Sequence, residues 1–169
     1  MKNIAIRYAL IASVIFVIWT LLEHVLGFNT VRLATGEKTR MASAFVFYLM
    51  IFLCLREKKK SAGEPFTFMD AIKVGSLMVV VYSAITAVWL AIYQNAINPG
   101  MHDLMMQYTT EKMAHRGVTE QQMAQALNEV DMIYSGKPFS FVMYFVFSSI
   151  MGIVVTGIFG LFFRSRKAE

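Results

Sequence analysis

Four long apolar segments dominate the chain, and shorter polar stretches separate them. The segments cover about residues 8–26, 41–55, 74–93 and 139–163. Each is apolar on all sides, whereas a membrane barrel strand alternates apolar and polar residues over about ten positions. Because a backbone in lipid must satisfy its own hydrogen bonds, these segments favour helices. The pattern predicts an all-α, polytopic membrane protein with four transmembrane helices, forming a single membrane domain over residues 1–169.

The second segment, residues 41–55, is short for a membrane crossing. A helix needs about 20 residues to span the hydrocarbon core. We therefore expect this helix to borrow a turn from the preceding "EKTR". The first segment follows a basic start like a signal peptide, but the small-residue cleavage site is missing, which indicates a retained helix.

The stretch from about residue 98 to 138 is too polar to span a membrane, yet it is periodic. "NPG" ends the third helix. Apolar residues then recur at helical spacing from Met101 to Tyr108. Thr119 and Gln122 form a capping box for a second helix. This segment is predicted to be an amphipathic helical hairpin between the third and fourth spans, on the extracytoplasmic side.

Composition and charge agree with a membrane location. The chain is 57% hydrophobic and only 16% charged, which is too apolar for a small soluble domain. With four spans, ten of the sixteen basic residues lie on the side of the two termini. The positive-inside rule then predicts cytoplasmic termini in a bacterial inner membrane. "REKKK" lies beside a span, so it indicates contact with lipid headgroups rather than nucleic acid.

The predicted hairpin holds the clearest candidate for metal chemistry, "MHDLMM". Thioether and imidazole groups suit Cu(I). The candidate ligands lie within two helical turns: Met101, His102, Met105 and Met106. Methionines are also pliable fillers of an apolar face, and thirteen of them spread along the chain favour that interpretation. We therefore expect no metal or other cofactor, and the absence of phosphate-loop, HExxH and GxSxG motifs predicts a protein that is not an enzyme.

Glu23 and His24 form a polar pair near the outer end of the first span. Ionisable groups at such positions are candidates for proton handling. The alternative is an interfacial cap in which both side chains reach water, and we favour it.

The fourth span carries small residues at four-residue spacing: Ser148, Gly152, Thr156 and Gly160. Small residues let helix backbones approach closely in lipid. The stripe therefore predicts a packing face, against another helix of this chain or against a second copy. We favour the same chain.

The stretch "GEPFTFMDAIKVG" begins the third span. Thr67 is a good N-cap and Asp70 lies three residues later, as in a capping box. The motif consists of Gly63, Thr67, Phe68, Asp70, Ala71 and Gly75. With "YQNAINPG", "GVTEQQM" and a glycine-bearing last helix, this order resembles the bacterial four-helix membrane proteins grouped as domain of unknown function 4199. The resemblance covers nearly the whole chain and implies a membrane protein without assigned catalytic residues.

Three functions fit these patterns. The first is a scaffold, assembly factor or regulatory partner that meets another membrane protein or a second copy, and we prefer it. The second is a carrier for a small molecule or ion, with a polar cavity near Ser13, Thr20, Ser83 and Thr86. The third is a metal-binding envelope protein that uses the methionines and His102.

Overall fold

The computed structural model describes residues 3–62 and 65–165, and all regular structure within these ranges is helical. The helices are α1 (Ile4–Val25), α2 (Leu33–Ser61), α3 (Phe68–Ile92), α4 (Met101–His115), α5 (Glu120–Tyr134) and α6 (Pro138–Phe163). A π-helical turn, Tyr93–Ile97, continues α3. Four of these helices, α1, α2, α3 with its π turn, and α6, are long and apolar enough to cross a membrane.

Helix α2 is much longer than the 41–55 segment expected from its apolar residues. It runs for 29 residues and includes the charged stretches at both ends. Lysine, arginine and glutamate are good helix formers, so the helix continues where apolar residues stop. Gly36 lies in its first turns, where a Cβ atom would overlap the carbonyl oxygen of Phe28. The glycine therefore allows the α1–α2 turn to fold against the helix.

Helix α3 lies at the centre of the bundle and packs against α1, α2 and α6. Alanines of α1, at positions 5, 9 and 12, are buried against this core. On the opposite side, α6 approaches α3 through glycines and a threonine. Small residues at these crossings bring the backbones close, and dispersion contacts then hold the helices together.

The start of α3 is the capping box that the sequence predicts. The Asp70 amide donates to Thr67 Oγ1 at 3.2 Å, and the Thr67 amide donates to Asp70 Oδ2 at 3.0 Å. Phe66 is buried just before the cap, and its carbonyl accepts a hydrogen bond from the Ser165 amide. The motif thus fixes where α3 begins and ties it to the end of α6. Gly63, also assigned to this motif, lies outside the described residues.

Helices α4 and α5 follow α3 and precede α6 in the sequence, and they pack against each other as a hairpin. In the turn that joins them, Gly117 has a φ of +62°. Lys112 of α4 donates to both carboxylate oxygens of Glu37 in α2, each at 2.6 Å. Tyr108 donates to the same carboxylate at 3.1 Å, and burial together with this neighbour raises the pKa of Tyr108. These contacts hold the hairpin over the end of the bundle where α2 begins.

Candidate functional site

A cavity of about 340 Å³ lies at the end of the bundle beneath the α4–α5 hairpin. Ligand sites commonly enclose about 300–1,000 Å³, with mostly apolar walls and a few polar groups. Side chains from all six α-helices, the α1–α2 turn and the π turn line this cavity. Its apolar and aromatic walls include Phe16, Trp19, Phe47, Tyr48, Tyr82, Leu90, Tyr93, Met101, Ile133, Tyr134, Phe141, Tyr144, Phe147 and Met151.

Glu23 lies at the polar end of the cavity and is only 5% exposed. Its Oε1 atom accepts hydrogen bonds from Trp19 Nε1 at 2.9 Å and from Thr39 Oγ1 at 2.5 Å. Asn29 Nδ2 lies 3.5 Å from the other carboxylate oxygen. We expected Glu23 to reach water, and this was wrong because side chains of α1, the α1–α2 turn and α2 surround it. Protein donors take the place of solvent around this carboxylate.

His24 has a different environment from its neighbour. Its Nδ1 atom lies 3.1 Å from the Tyr93 hydroxyl, and the two rings meet edge to face. Adjacent residues of a helix point about 100° apart, and here the two side chains form separate hydrogen bonds. His24 therefore contacts Tyr93 at the end of α3, while Glu23 lines the cavity.

Three further residues that line the cavity each carry a buried polar atom without a hydrogen-bond partner within the described ranges. These atoms are Arg40 Nη1, Asn29 Oδ1 and Gln94 Oε1. Asn29 is 2% exposed and Gln94 is 7% exposed, so water reaches them poorly. A buried polar group without a partner costs about 1–3 kcal/mol. One donor and two acceptors on residues that line the cavity are therefore unsatisfied by the described part of the chain.

Arg40 is held at the rim by an aromatic contact. Its guanidinium carbon lies 6.0 Å from the centre of the Tyr134 ring in α5. A cation over an aromatic face is attracted by the ring quadrupole. This contact positions the charge while leaving Nη1 free of partners among residues 3–62 and 65–165.

The cavity is closed toward the other end of the bundle. Phe47 and Tyr82 stack with ring centres 4.1 Å apart, and both line its inner end. Beyond this stack, Ile51, Cys54 and Met78 are fully buried. The part of the bundle beyond the stack, away from the hairpin, is therefore a packed apolar core.

Two residues of the cavity wall, one in α2 and one in α6, are also exposed at the protein surface. Ala44 of α2 and Phe147 of α6 both line the cavity, yet both are exposed, Phe147 by 67%. The two helices meet further along, where the Phe52 ring lies 5.0 Å from that of Phe163. Ala44 and Phe147 mark the place where the cavity wall meets the protein surface, in the apolar part of both helices, and we call this place the slot.

The methionine and histidine candidates are used in separate contacts. Met101 and Met105 are buried in a cluster with Tyr93 and Val130, and Met106 packs beside it. The two ring nitrogens of His102 lie 3.2 Å from carboxylate oxygens of Asp103 and Asp131. The thioethers therefore serve packing, and the imidazole joins α4 to α5.

The cavity is displaced from the position expected for a carrier. Of the four residues expected around it, only Thr20 lines it. Ser13, Thr20 and Thr86 donate to carbonyl oxygens four residues earlier in their own helices. Ser83 is fully buried within α3. The hydroxyls of Ser13, Thr20 and Thr86 are thus satisfied within their own helices, which is common for serine and threonine, whereas the Ser83 hydroxyl has no partner in the described part of the chain.

The small residues of α6 face α3 of the same chain in three of four cases. A Cβ atom on Gly152 would lie 2.6 Å from Val79, and one on Gly160 would lie 3.0 Å from Ala71. Thr156 is fully buried against Gly75. Ser148 instead lines the cavity. Gly152, Thr156 and Gly160 thus pack α6 against α3, and Ser148 forms part of the cavity wall.

Sequence reasoning missed Asn29, Arg40 and Gln94 as site residues. Arg40 entered only as part of "EKTR" and of the count of basic residues. The available signal was that all three lie within a few residues of the ends of apolar segments. Nothing in their spacing shows that the α1–α2 turn, α2 and the end of α3 bring them to one cavity.

Comparison with known families gives one match. A family described as "Protein of unknown function (DUF4199)" matches residues 7–165. Searches of curated proteins and of solved structures found no match. Because the match covers nearly the whole chain and agrees with the motifs of the third span, the resemblance seen in the sequence is confirmed. The chain belongs to the DUF4199 family of proteins of unknown function.

Proposed function

We propose that this protein binds an amphipathic small molecule in the cavity beneath the hairpin. The observation that carries the proposal is the juxtaposition of unpartnered polar atoms on Arg40, Asn29 and Gln94 with aromatic walls. A polar head satisfies the buried donor and acceptors, while an apolar body contacts the rings. Such a division between a few oriented polar groups and a largely apolar lining is typical of small-molecule sites.

In this proposal the protein is a four-pass protein of the bacterial cytoplasmic membrane. Both termini are cytoplasmic, and the α4–α5 hairpin covers the outer end of the bundle. The support is the distribution of basic residues, ten on the proposed inner side against six on the outer side. The cavity then opens to the outer half of the bilayer.

The cavity changes our preference among the three functions considered from the sequence. A scaffold or assembly partner needs an exposed docking face, and it does not require unpaired polar atoms inside the bundle. Binding of a small molecule uses those atoms directly. We propose a binding role without catalysis, in which an occupied cavity acts as a carrier or regulatory site.

Filling the cavity tests this function. Ser148 lines the cavity, so Ser148→Leu adds apolar volume inside it. Ser76, a partly buried serine of α3 that does not line the cavity, provides the matched variant Ser76→Leu. Each protein is purified under conditions that retain bound molecules. These molecules are then extracted with organic solvent and identified by mass spectrometry. We expect one class of amphiphile from the wild-type and Ser76→Leu proteins and much less from Ser148→Leu. Equal recovery from all three proteins contradicts the proposal.

A further inference from the structure

We infer that the ligand is a phospholipid-like molecule whose head carries both an anionic oxygen and an N–H-bearing ammonium group, as in phosphoethanolamine. The inference rests on the proposed function and names the chemical class of its ligand. The acidic oxygen binds Arg40, and the ammonium group lies among Glu23, Asn29 and Gln94. The chain leaves the cavity sideways, between α2 and α6.

The charges at the polar end determine the net charge of the head. Glu23 and Arg40 both line the cavity, so their formal charges cancel. A simple anion satisfies Arg40 but leaves an excess negative charge beside the buried Glu23 carboxylate. Excess charge in a poorly hydrated site is costly, because Coulomb interactions are weakly screened there. A head with one charge of each sign keeps the site neutral.

The hydrogen-bonding groups determine the kind of cation. Arg40 Nη1 is a donor without a partner in the described part of the chain, so it requires an acceptor such as a phosphate oxygen. Asn29 Oδ1 and Gln94 Oε1 are acceptors without partners there and require donors. A primary ammonium group has three N–H donors. A quaternary ammonium group has none, so it leaves both amide oxygens unsatisfied.

The slot between α2 and α6 indicates that the ligand comes from the bilayer. Ala44 lies one helical turn beyond Arg40, about 6 Å along α2. Phe147 lies seven residues beyond Ser140 in α6, about 10 Å along that helix. A head held by Arg40 therefore places the following acyl chain at the level of the slot. Phe147, exposed by 67% in an apolar helix, faces the region that lipid chains occupy.

Competition between headgroups tests the inference. Lysophosphatidylethanolamine, lysophosphatidylcholine and lysophosphatidylglycerol with the same acyl chain are added in equal amounts to the full-length protein in detergent. Native mass spectrometry then counts the bound molecules. We expect the ethanolamine lipid to exceed each of the others by about tenfold, the ratio that corresponds to one charge-assisted hydrogen bond.

Two substitutions separate the roles within the head site. Arg40→Gln removes the charge that binds the phosphate, and we expect it to reduce binding of the ethanolamine lipid by about tenfold or more. Arg32→Gln removes the same charge eight residues earlier, outside the cavity, and we expect it to have no effect. Gln94→Leu removes an acceptor for the ammonium group, so it reduces the preference over the choline lipid while phosphate binding remains. Gln94→Leu keeps the test decisive if Arg40→Gln fails to fold.

The outcomes distinguish the inference from the function on which it rests. Equal binding of the three lipids, or a preference for the glycerol lipid, overturns the headgroup assignment when Ser148→Leu still abolishes binding. Soluble O-phosphoethanolamine that displaces the lipid at equal concentration overturns the bilayer source. Lipid adducts that are identical in Ser148→Leu and wild-type protein contradict the proposed function itself.

Discussion

The side chain of Thr156 in α6 lies directly against the Cα atom of Gly75 in α3. A Cβ atom at position 75 would overlap Thr156, and both residues are buried. The contact joins the motif at the start of α3 to the small-residue stripe of α6. Close backbone approach of this kind is how helices associate in lipid, where there is little hydrophobic driving force between them.

Gly75→Ala is therefore expected to destabilise the protein by about 1–3 kcal/mol, the usual cost of adding a methylene to a packed core. Unfolding in a mixed-detergent titration measures the change. Gly100→Ala is the control, because a Cβ atom there meets nothing within 4 Å. Similar stabilities of the two variants would show that α3 and α6 can separate at little cost.

Thr67→Ala removes the cap of α3. We expect a loss of about 1 kcal/mol, because the Asp70 amide loses its acceptor at the helix start. Ligand binding by the folded protein should be unchanged, since Thr67 lies at the end of α3 opposite Gln94. Thr110→Ala, on the exposed surface of α4, serves as the control. Lost binding at unchanged stability would assign the motif a direct functional role.

Lys112→Ala should loosen the hairpin. Lys112 joins α4 to Glu37 through two short hydrogen bonds, but the pair is partly exposed to solvent. Partly exposed ion pairs contribute about 0.2–1 kcal/mol, which corresponds to amide exchange about 1.4-fold to fivefold faster across α4. Hydrogen–deuterium exchange measures this, and high salt should reduce the difference. Lys38→Ala, an exposed lysine beside Glu37, should leave exchange in α4 unchanged.

The orientation can be tested with introduced cysteines. Cys54 is the only cysteine and is fully buried, so it provides an unreactive background. Gln107→Cys in α4 and Ser61→Cys at the end of α2 both place a thiol at an exposed position. A membrane-impermeant maleimide added to intact cells should label position 107 and not position 61. The reverse pattern would place the hairpin in the cytoplasm.

The sequence was informative where structure depends on local rules. Apolar segment lengths predicted four long helices, and Thr67 and Thr119 were read correctly as N-caps because a cap depends on residues three apart. The extent of α2 was missed, since charged residues continue a helix that an apolar count ends. The burial of Glu23 was missed as well, because its donors come from α1, the α1–α2 turn and α2, whose positions local patterns do not specify.

The candidate site also depends on the packing of distant segments rather than on local sequence rules. Asn29, Arg40 and Gln94 lie 11 to 65 positions apart in sequence, and they meet only because α2 and the end of α3 converge beneath the hairpin. Their significance comes from missing partners, which is a property of the folded arrangement. Polar residues near the ends of spans would be the natural candidates in any sequence of this kind, yet most of them simply contact water or headgroups.

The stacked rings of Phe47 and Tyr82, with the fully buried residues beyond them, make the cavity a dead end. A molecule held above this floor leaves by the route through which it came. Under the proposed function, a site of this form exchanges with one leaflet of a bilayer, and its occupancy follows the concentration of the molecule in that leaflet. Such a geometry suits a protein that samples the composition of one membrane surface better than one that moves a molecule across.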